Sequence, residues 1–264
     1  MLQNHVPLRT VFNLENPNPI IVLEGSRTIS TNTGKILQRM GQHLLELFPN
    51  AKFRSGNADG ADDWFVRGAQ NPANNGANIE LMLPYAGHKK VKILPNSSIL
   101  PLEQLSDSEL DDLKHLVVQA SPKYKALMNY FDPNAKGRRI ENAKYILRDA
   151  LKICGNATHG FLPASFALFY VNPYATKPGG TEHTMRVADY CKVPYQTQQG
   201  WAFSVPTDIY TPQEIALMAE LKEAMKLIME NIPGDMDMSE FLQTSEEYAT
   251  ASQYLLAILM RYGQ

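Results

Sequence analysis

The sequence predicts an α/β fold: a doubly wound, mostly parallel sheet with a helical appendage at its C-terminal end. Two observations carry that expectation. Short apolar runs alternate with segments of helical period, and strand–helix–strand order demands parallel pairing through right-handed crossovers. A turn rich in glycine and other small residues follows three of the apolar runs. It falls at the strand ends from which open parallel sheets hold their ligands.

Ile20–Leu23 is a short apolar run of the kind a buried strand shows, and EGSRTIS turns the chain after it. From about Ser30 to Phe48, Ile36, Leu37, Met40, Leu44, Leu45 and Phe48 recur at helical spacing. A second strand, Ala51–Arg54, enters SGNADGADD, where a helix begins near Asp59–Asp63 with an acidic first turn that suits the helix dipole. ANIELMLP is a third strand. Residues 87–136 are irregular, with KKVKIL and LPNSSILPLEQL punctuated by proline, and are expected to form an insertion between two halves of the sheet. Within it, Ser108–Ala120 and Ser121–Tyr130 read as short helices, the first capped by Ser106 or Ser108. GRRIENAKYILRDALKIC is an amphipathic helix with Ile140, Ala143, Ile146, Leu147, Ala150 and Leu151 on one side. SFALFYVNP is a further buried strand, PGGTEHTMRVADYCK the next helix and VPYQTQ a last strand.

Residues 1–205 thus read as one sheet domain and 206–264 as the appendage. The latter has helices at about Pro212–Asn231 and Met238–Tyr262, divided by IPGDM. Phe241, Leu242, Tyr248, Ala251, Leu255, Ile258 and Leu259 form a stripe that one isolated helix cannot bury, which favours a homo-oligomer.

Composition excludes several classes of function. A net charge of −2 gives no electrostatic reason for non-specific nucleic-acid binding, although Lys136, Arg138 and Arg139 form a dense basic group. Cys154 and Cys191 are far apart and suggest neither a disulfide framework nor a zinc site. MLQNHVPLRT lacks the apolar core of a signal peptide, and the run FLPASFALFYV is about half the ~20 residues of a membrane span. A soluble, cytoplasmic protein without a metal or cofactor is expected.

Three loops converge on one predicted edge. The first offers Gly25, Ser26 and Arg27, and the second Ser55, Gly56, Asn57, Asp59, Gly60 and Asp62. The third offers Asn172, Gly179, Gly180, Thr181, Glu182, His183 and Thr184. Each opens a helix, so unpaired backbone N–H groups can face an anion. Arg138 and Asn142, on the amphipathic helix, are further candidates. Ser26 either donates to a phosphate or simply makes a turn, and Arg27 either pairs with phosphate or lies on the surface. Asp59 and Asp62 either cap the helix or hold a ribose hydroxyl. Glu182 and His183 are the candidates for catalysis, His183 being held neutral by the helix start. Arg186 reads as a salt-bridge partner, Trp64 and Phe65 as core. His88, His115 and His159 lack metal-ligand spacing and read as structural or exposed. There is no Walker lysine motif and no G-x-S-x-G elbow.

EGSRTIS, FRSGNADGADDWFVRGA and PGGTEHTMRVADYCKVP together resemble the SLOG superfamily of Rossmann-like proteins, over about Pro19 to Gln198. That group includes the LONELY GUY phosphoribohydrolases, the DNA-processing protein A family and nucleotide-sensing domains. The nearest likeness is to small bacterial or phage members in which SGGAxGAD precedes GGTxHTxRVA. The resemblance implies a nucleotide or nucleotide-derived ligand at the strand carboxyl edge, and commonly a dimer. It also shows a departure: the phosphoribohydrolase motif PGGxGTxxE supplies a catalytic glutamate, where Met185 and Arg186 stand here, with Glu182 the nearest substitute. The expected role is therefore recognition by a sensor, carrier or sequestering protein. The alternative is a nucleoside-monophosphate phosphoribohydrolase or N-glycosidase. A third reading, single-stranded DNA binding, is opposed by the sequence pI of about 6.3.

Overall fold

A computed structural model describes residues 16–90, 93–172 and 179–201, together with Ala216, Ala219, Glu220 and Glu223. Most of the expected C-terminal appendage, including its apolar stripe, lies outside the described residues, as do residues 173–178 of the third loop.

The chain runs β1 (Ile20–Gly25), α1 (Thr31–Leu47), β2 (Lys52–Ser55), α2 (Ala61–Ala69), β3 (Ile79–Leu83) and β4 (Ser98–Pro101). It continues through α3 (Asp107–Ala120), α4 (Lys125–Tyr130), α5 (Arg138–Cys154), β5 (Phe166–Tyr170), α6 (Gly180–Tyr190), β6 (Tyr195–Thr197) and α7 (Gln198–Trp201). The six strands form one sheet in the order β4-β3-β2-β1-β5-β6, and every pairing is parallel. The chain builds outward from β1 to β4 and then returns to lay β5 on the other side of β1. Gly25 is paired with Tyr170 at the carboxyl ends of those two strands. The helix that follows β1, α1, packs on one face of the sheet and the helix that follows β5, α6, on the other, the arrangement that opens a crevice between the two strand ends.

Strand periodicity sorts the core into two layers. Ile21, Leu23, Phe53, Ile79, Leu81, Phe166 and Leu168 face α1 and α2, with Phe65, Trp64 and Trp201 in the same layer. Val22, Met82, Leu100, Ala167 and Phe169 face α3, α5 and α6. On that second face β1, β2 and β3 each carry a buried charge, Glu24, Arg54 and Glu80. Arg54 answers Glu80 at 2.7 and 2.9 Å and donates to the carbonyls of Lys152 and Leu162.

Local chemistry sets the helix starts. The Ser30 hydroxyl accepts from Thr33 N and caps α1. Ser106 and Glu109 close a reciprocal capping box at α3.

One expectation changes. Residues 87–136 do more than interrupt the sheet, because Ser98–Pro101 pairs with β3 as an edge strand. Only Leu100 and Pro101 are buried there, while Ser98 is exposed. An edge strand tolerates proline and polar residues that a central strand cannot. Among the described residues no helix is long and apolar enough to cross a membrane.

Candidate functional site

The site begins with a carboxylate that ties two strand ends together. Asp62 accepts from Gly25 N at 3.1 Å, Ser55 Oγ at 3.0 Å and Gly56 N at 3.2 Å. It lies in the first turn of α2, yet it bonds across to the loops after β1 and β2 rather than capping its own helix. Gly25 is needed for packing: a Cβ there would strike the Tyr170 carbonyl and stand 2.8 Å from Ala61 Cβ.

Helix α5 supplies the floor. Arg148, Asp149 and Lys152 are buried on the side that meets the sheet. Lys152 Nζ lies 2.5 Å from Glu24 Oε2 and 2.9 Å from Asp149 Oδ1. Arg148 grips the same Asp149 oxygen at 3.1 and 2.6 Å and donates to the Gly56 carbonyl at 3.0 Å. Thr184 Oγ1 donates to Glu24 Oε1 at 3.0 Å.

Burial decides the behaviour of these charges. It pushes the Glu24 carboxyl up to about 7, against the attraction of Lys152 and with help from Asp149 and Asp62. Burial also works against ionised Asp149, but Arg148 and Lys152 outweigh it and hold that carboxyl far below the usual range. For Lys152 the desolvation cost is likewise overcome, by Asp149 and Glu24, and the ammonium is held above its ordinary value. The floor thus holds one firmly ionised carboxylate and one that exchanges its proton near neutrality.

Above this floor lies a cleft of about 690 Å³. Gly25, Ser26, Arg27, Asp62, Asn172, Gly179, Gly180, Thr181 and Glu182 line it, together with Glu24, Arg148, Asp149 and Met185. Gly179 is the N-cap of α6, and no side chain caps that helix's first turn. Gly180 sits over the floor, where an added Cβ would stand 2.7 Å from Asp149 Oδ2. Arg27 is exposed, its guanidinium 5.2 Å from the centre of the Tyr145 ring.

The remaining candidates lie elsewhere. Ser55 and Asn57 line a separate cavity of about 20 Å³ that Asp62 shares. Gly56 lies beneath the Arg148 guanidinium. Gly60 is the N-cap of α2, close against the carbonyls of Ser26 and Arg27, and Asp59 pairs with Lys89. Ser26, although it lines the cleft, bonds to Thr28 within its own turn. Thr184 is buried against Glu24.

His183 requires a correction. It is fully buried behind the cleft, with Nδ1 3.0 Å from Ser121 Oγ and Nε2 3.3 Å from the Ile146 carbonyl. Because a carbonyl only accepts, Nε2 carries the proton and Ser121 donates to Nδ1. Burial lowers the ring's pKa, so His183 is a neutral packing residue. Its position one residue after Glu182 turns it to the inner face of α6. Arg138 and Asn142 also need correcting: both are exposed near the start of α5, about 15 Å and about 9 Å along the axis from Arg148. Glu182 is at the mouth of the cleft. Arg186 holds it at 3.1 and 2.5 Å and Lys123 at 3.7 Å, and the Arg186 hydrogen bonds keep its carboxyl below the ordinary range.

Glu24, Arg148, Asp149 and Lys152 were not singled out by the sequence reading. Their signal was nevertheless present. Glu24 interrupts an otherwise apolar strand, and the spacing of 148, 149 and 152 repeats that of the apolar stripe on α5.

Chemically, the cleft offers backbone N–H groups and Arg27 to an anion, and carboxylate oxygens at its floor to hydroxyl or amine donors. Among the described residues no group of His, Cys, Asp and Glu could hold a metal ion. No family model, curated protein or solved structure matches the chain, so its classification rests on the observed architecture, a Rossmann-like all-parallel α/β sheet.

Proposed function

We propose that the cleft binds a nucleotide or nucleotide-derived small molecule, and that the protein acts as a sensor, carrier or sequestering protein. One observation carries this reading: the loops after β1 and β5 and the uncapped start of α6 close on one cleft at the sheet's switch point. A helix start is a ready site for phosphate, and Arg27 at the rim adds a full positive charge. The volume of about 690 Å³ suits a small ligand of nucleotide size. The likeness of the three loop motifs to the SLOG superfamily supports the same choice.

A direct test is to denature the purified protein and identify any released nucleotide by mass spectrometry. The apo-protein is then heated with a panel of nucleotides. A ligand recovered unchanged, with a raised Tm, supports recognition. Failure of every nucleotide to release or stabilise would end this reading.

A second reading, hydrolysis of an N-glycosidic bond, is favoured by the floor itself. Glu24 titrates near neutrality within the cleft, and Asp149 stays ionised beside it. Two carboxyls held apart in this way suit acid–base work. Release of free base during the same incubation would select it.

A further inference from the structure

We propose that the ligand's base stacks on Tyr145 and is read by a ring nitrogen of His88, so that the base subsite adjoins the cleft beside Arg27 and Arg148, on the side of the segment that follows β3. This inference rests on the nucleotide reading and adds the place where the base is recognised. His88 is 3% exposed, yet among the described residues neither ring nitrogen has a hydrogen-bond partner. Buried polar atoms are nearly always partnered, so such a ring calls for a ligand or an ordered water.

The surroundings favour a planar ligand. The His88 ring meets the ring of Tyr85 edge-on with centroids 5.1 Å apart, and that of Tyr145 at 5.8 Å. Its backbone is pinned, because Asn57 Nδ2 donates to the His88 carbonyl at 3.2 Å. Tyr145 connects this ring cluster to the cleft: the guanidinium carbons of Arg27 and Arg148, both cleft residues, lie 5.2 and 5.3 Å from its ring centre. A ring face already covered by an exposed arginine is a stacking surface, and a base can lie on it with Arg27 shifted onto the base's other face.

His88 also distinguishes a base from a second phosphate. Burial above all, helped by the charges of Arg148, Lys89 and Arg27 and opposed by Asp59, holds its pKa down to about 4. At neutral pH one ring nitrogen therefore donates and the other accepts. That pair suits the mixed donor and acceptor edge of a base, whereas a phosphate would draw the imidazolium form.

The test uses the full chain and five probes: AMP, GMP, CMP, UMP and ribose 5-phosphate, each titrated by calorimetry. At least one monophosphate should bind about tenfold or more tightly than ribose 5-phosphate. His88→Phe keeps the ring but removes both nitrogens, and should erase the advantage while leaving ribose 5-phosphate unchanged. Tyr145→Leu should act in the same direction. A readout that needs no variant is the ¹⁵N shift of the His88 ring, which should move with the preferred monophosphate and stay fixed with ribose 5-phosphate. Equal binding of all five probes would overturn the base subsite and leave phosphate recognition standing. Discrimination that survives His88→Phe, with an unmoved ring signal, would mean that only a buried water completes His88. If no probe binds, the nucleotide reading and this subsite fall together.

Discussion

Glu24→Gln separates the electrostatics of the floor from its shape. The amide keeps the side chain's size but cannot ionise, so the difference in stability between wild type and variant isolates this one titration. Burial raises the folded carboxyl above its ordinary value. Such a group contributes stability that is complete below the unfolded pKa and is lost as pH rises through the folded one. The window runs from 4.5 to about 7, which at about 1.4 kcal/mol per pH unit amounts to roughly 3 kcal/mol. Wild type should therefore lose roughly 3 kcal/mol relative to Glu24→Gln between about pH 4.5 and about pH 8. Taking the difference also removes His88 and His183, whose lowered pKa values work in the opposite direction over part of this range. Urea unfolding of both proteins across the window measures it. Parallel stability curves would show that Lys152, 2.5 Å away, keeps Glu24 ionised throughout and that burial does not govern the site.

Three further outcomes are expected. Gly180→Val should abolish nucleotide binding, because the new Cβ would stand 2.7 Å from Asp149 Oδ2; wild-type affinity in a variant whose circular dichroism is native would remove α6 from the site. Arg27→Ala should weaken binding roughly 10- to 150-fold by calorimetry, the range for one charge-assisted contact of about 1.5–3 kcal/mol. A change below about twofold would return it to the ordinary surface. His183→Leu should cost about 1–3 kcal/mol of stability, since it strands Ser121 and the Ile146 carbonyl, yet leave ligand affinity within about twofold. A large loss of affinity in a stable His183→Leu protein would contradict its placement behind the cleft.

The amino-acid sequence alone determined the order of elements from β1 to β3 and from α5 to β6. Strands β1, β2, β3 and β5 are covered on both faces and the helices are amphipathic, so burial leaves a local pattern. The same pattern located the small-residue loops at the strand ends, because tight turns and helix starts impose local residue choices. It did not reveal β4, whose exposed Ser98 and terminal Pro101 suit an edge and resemble a loop. His183 illustrates a second limit: its place at the start of α6 is legible, but the helix's rotation sends its ring inward while Glu182 remains at the mouth. The floor was decided by tertiary structure only. Glu24 and Lys152 are 128 positions apart, and burying them depends on the partners that the fold assembles around them, each other together with Asp149 and Thr184. Local periodicity registers how polar a residue is; whether a buried charge has a partner depends on which strand the fold lays beneath which helix.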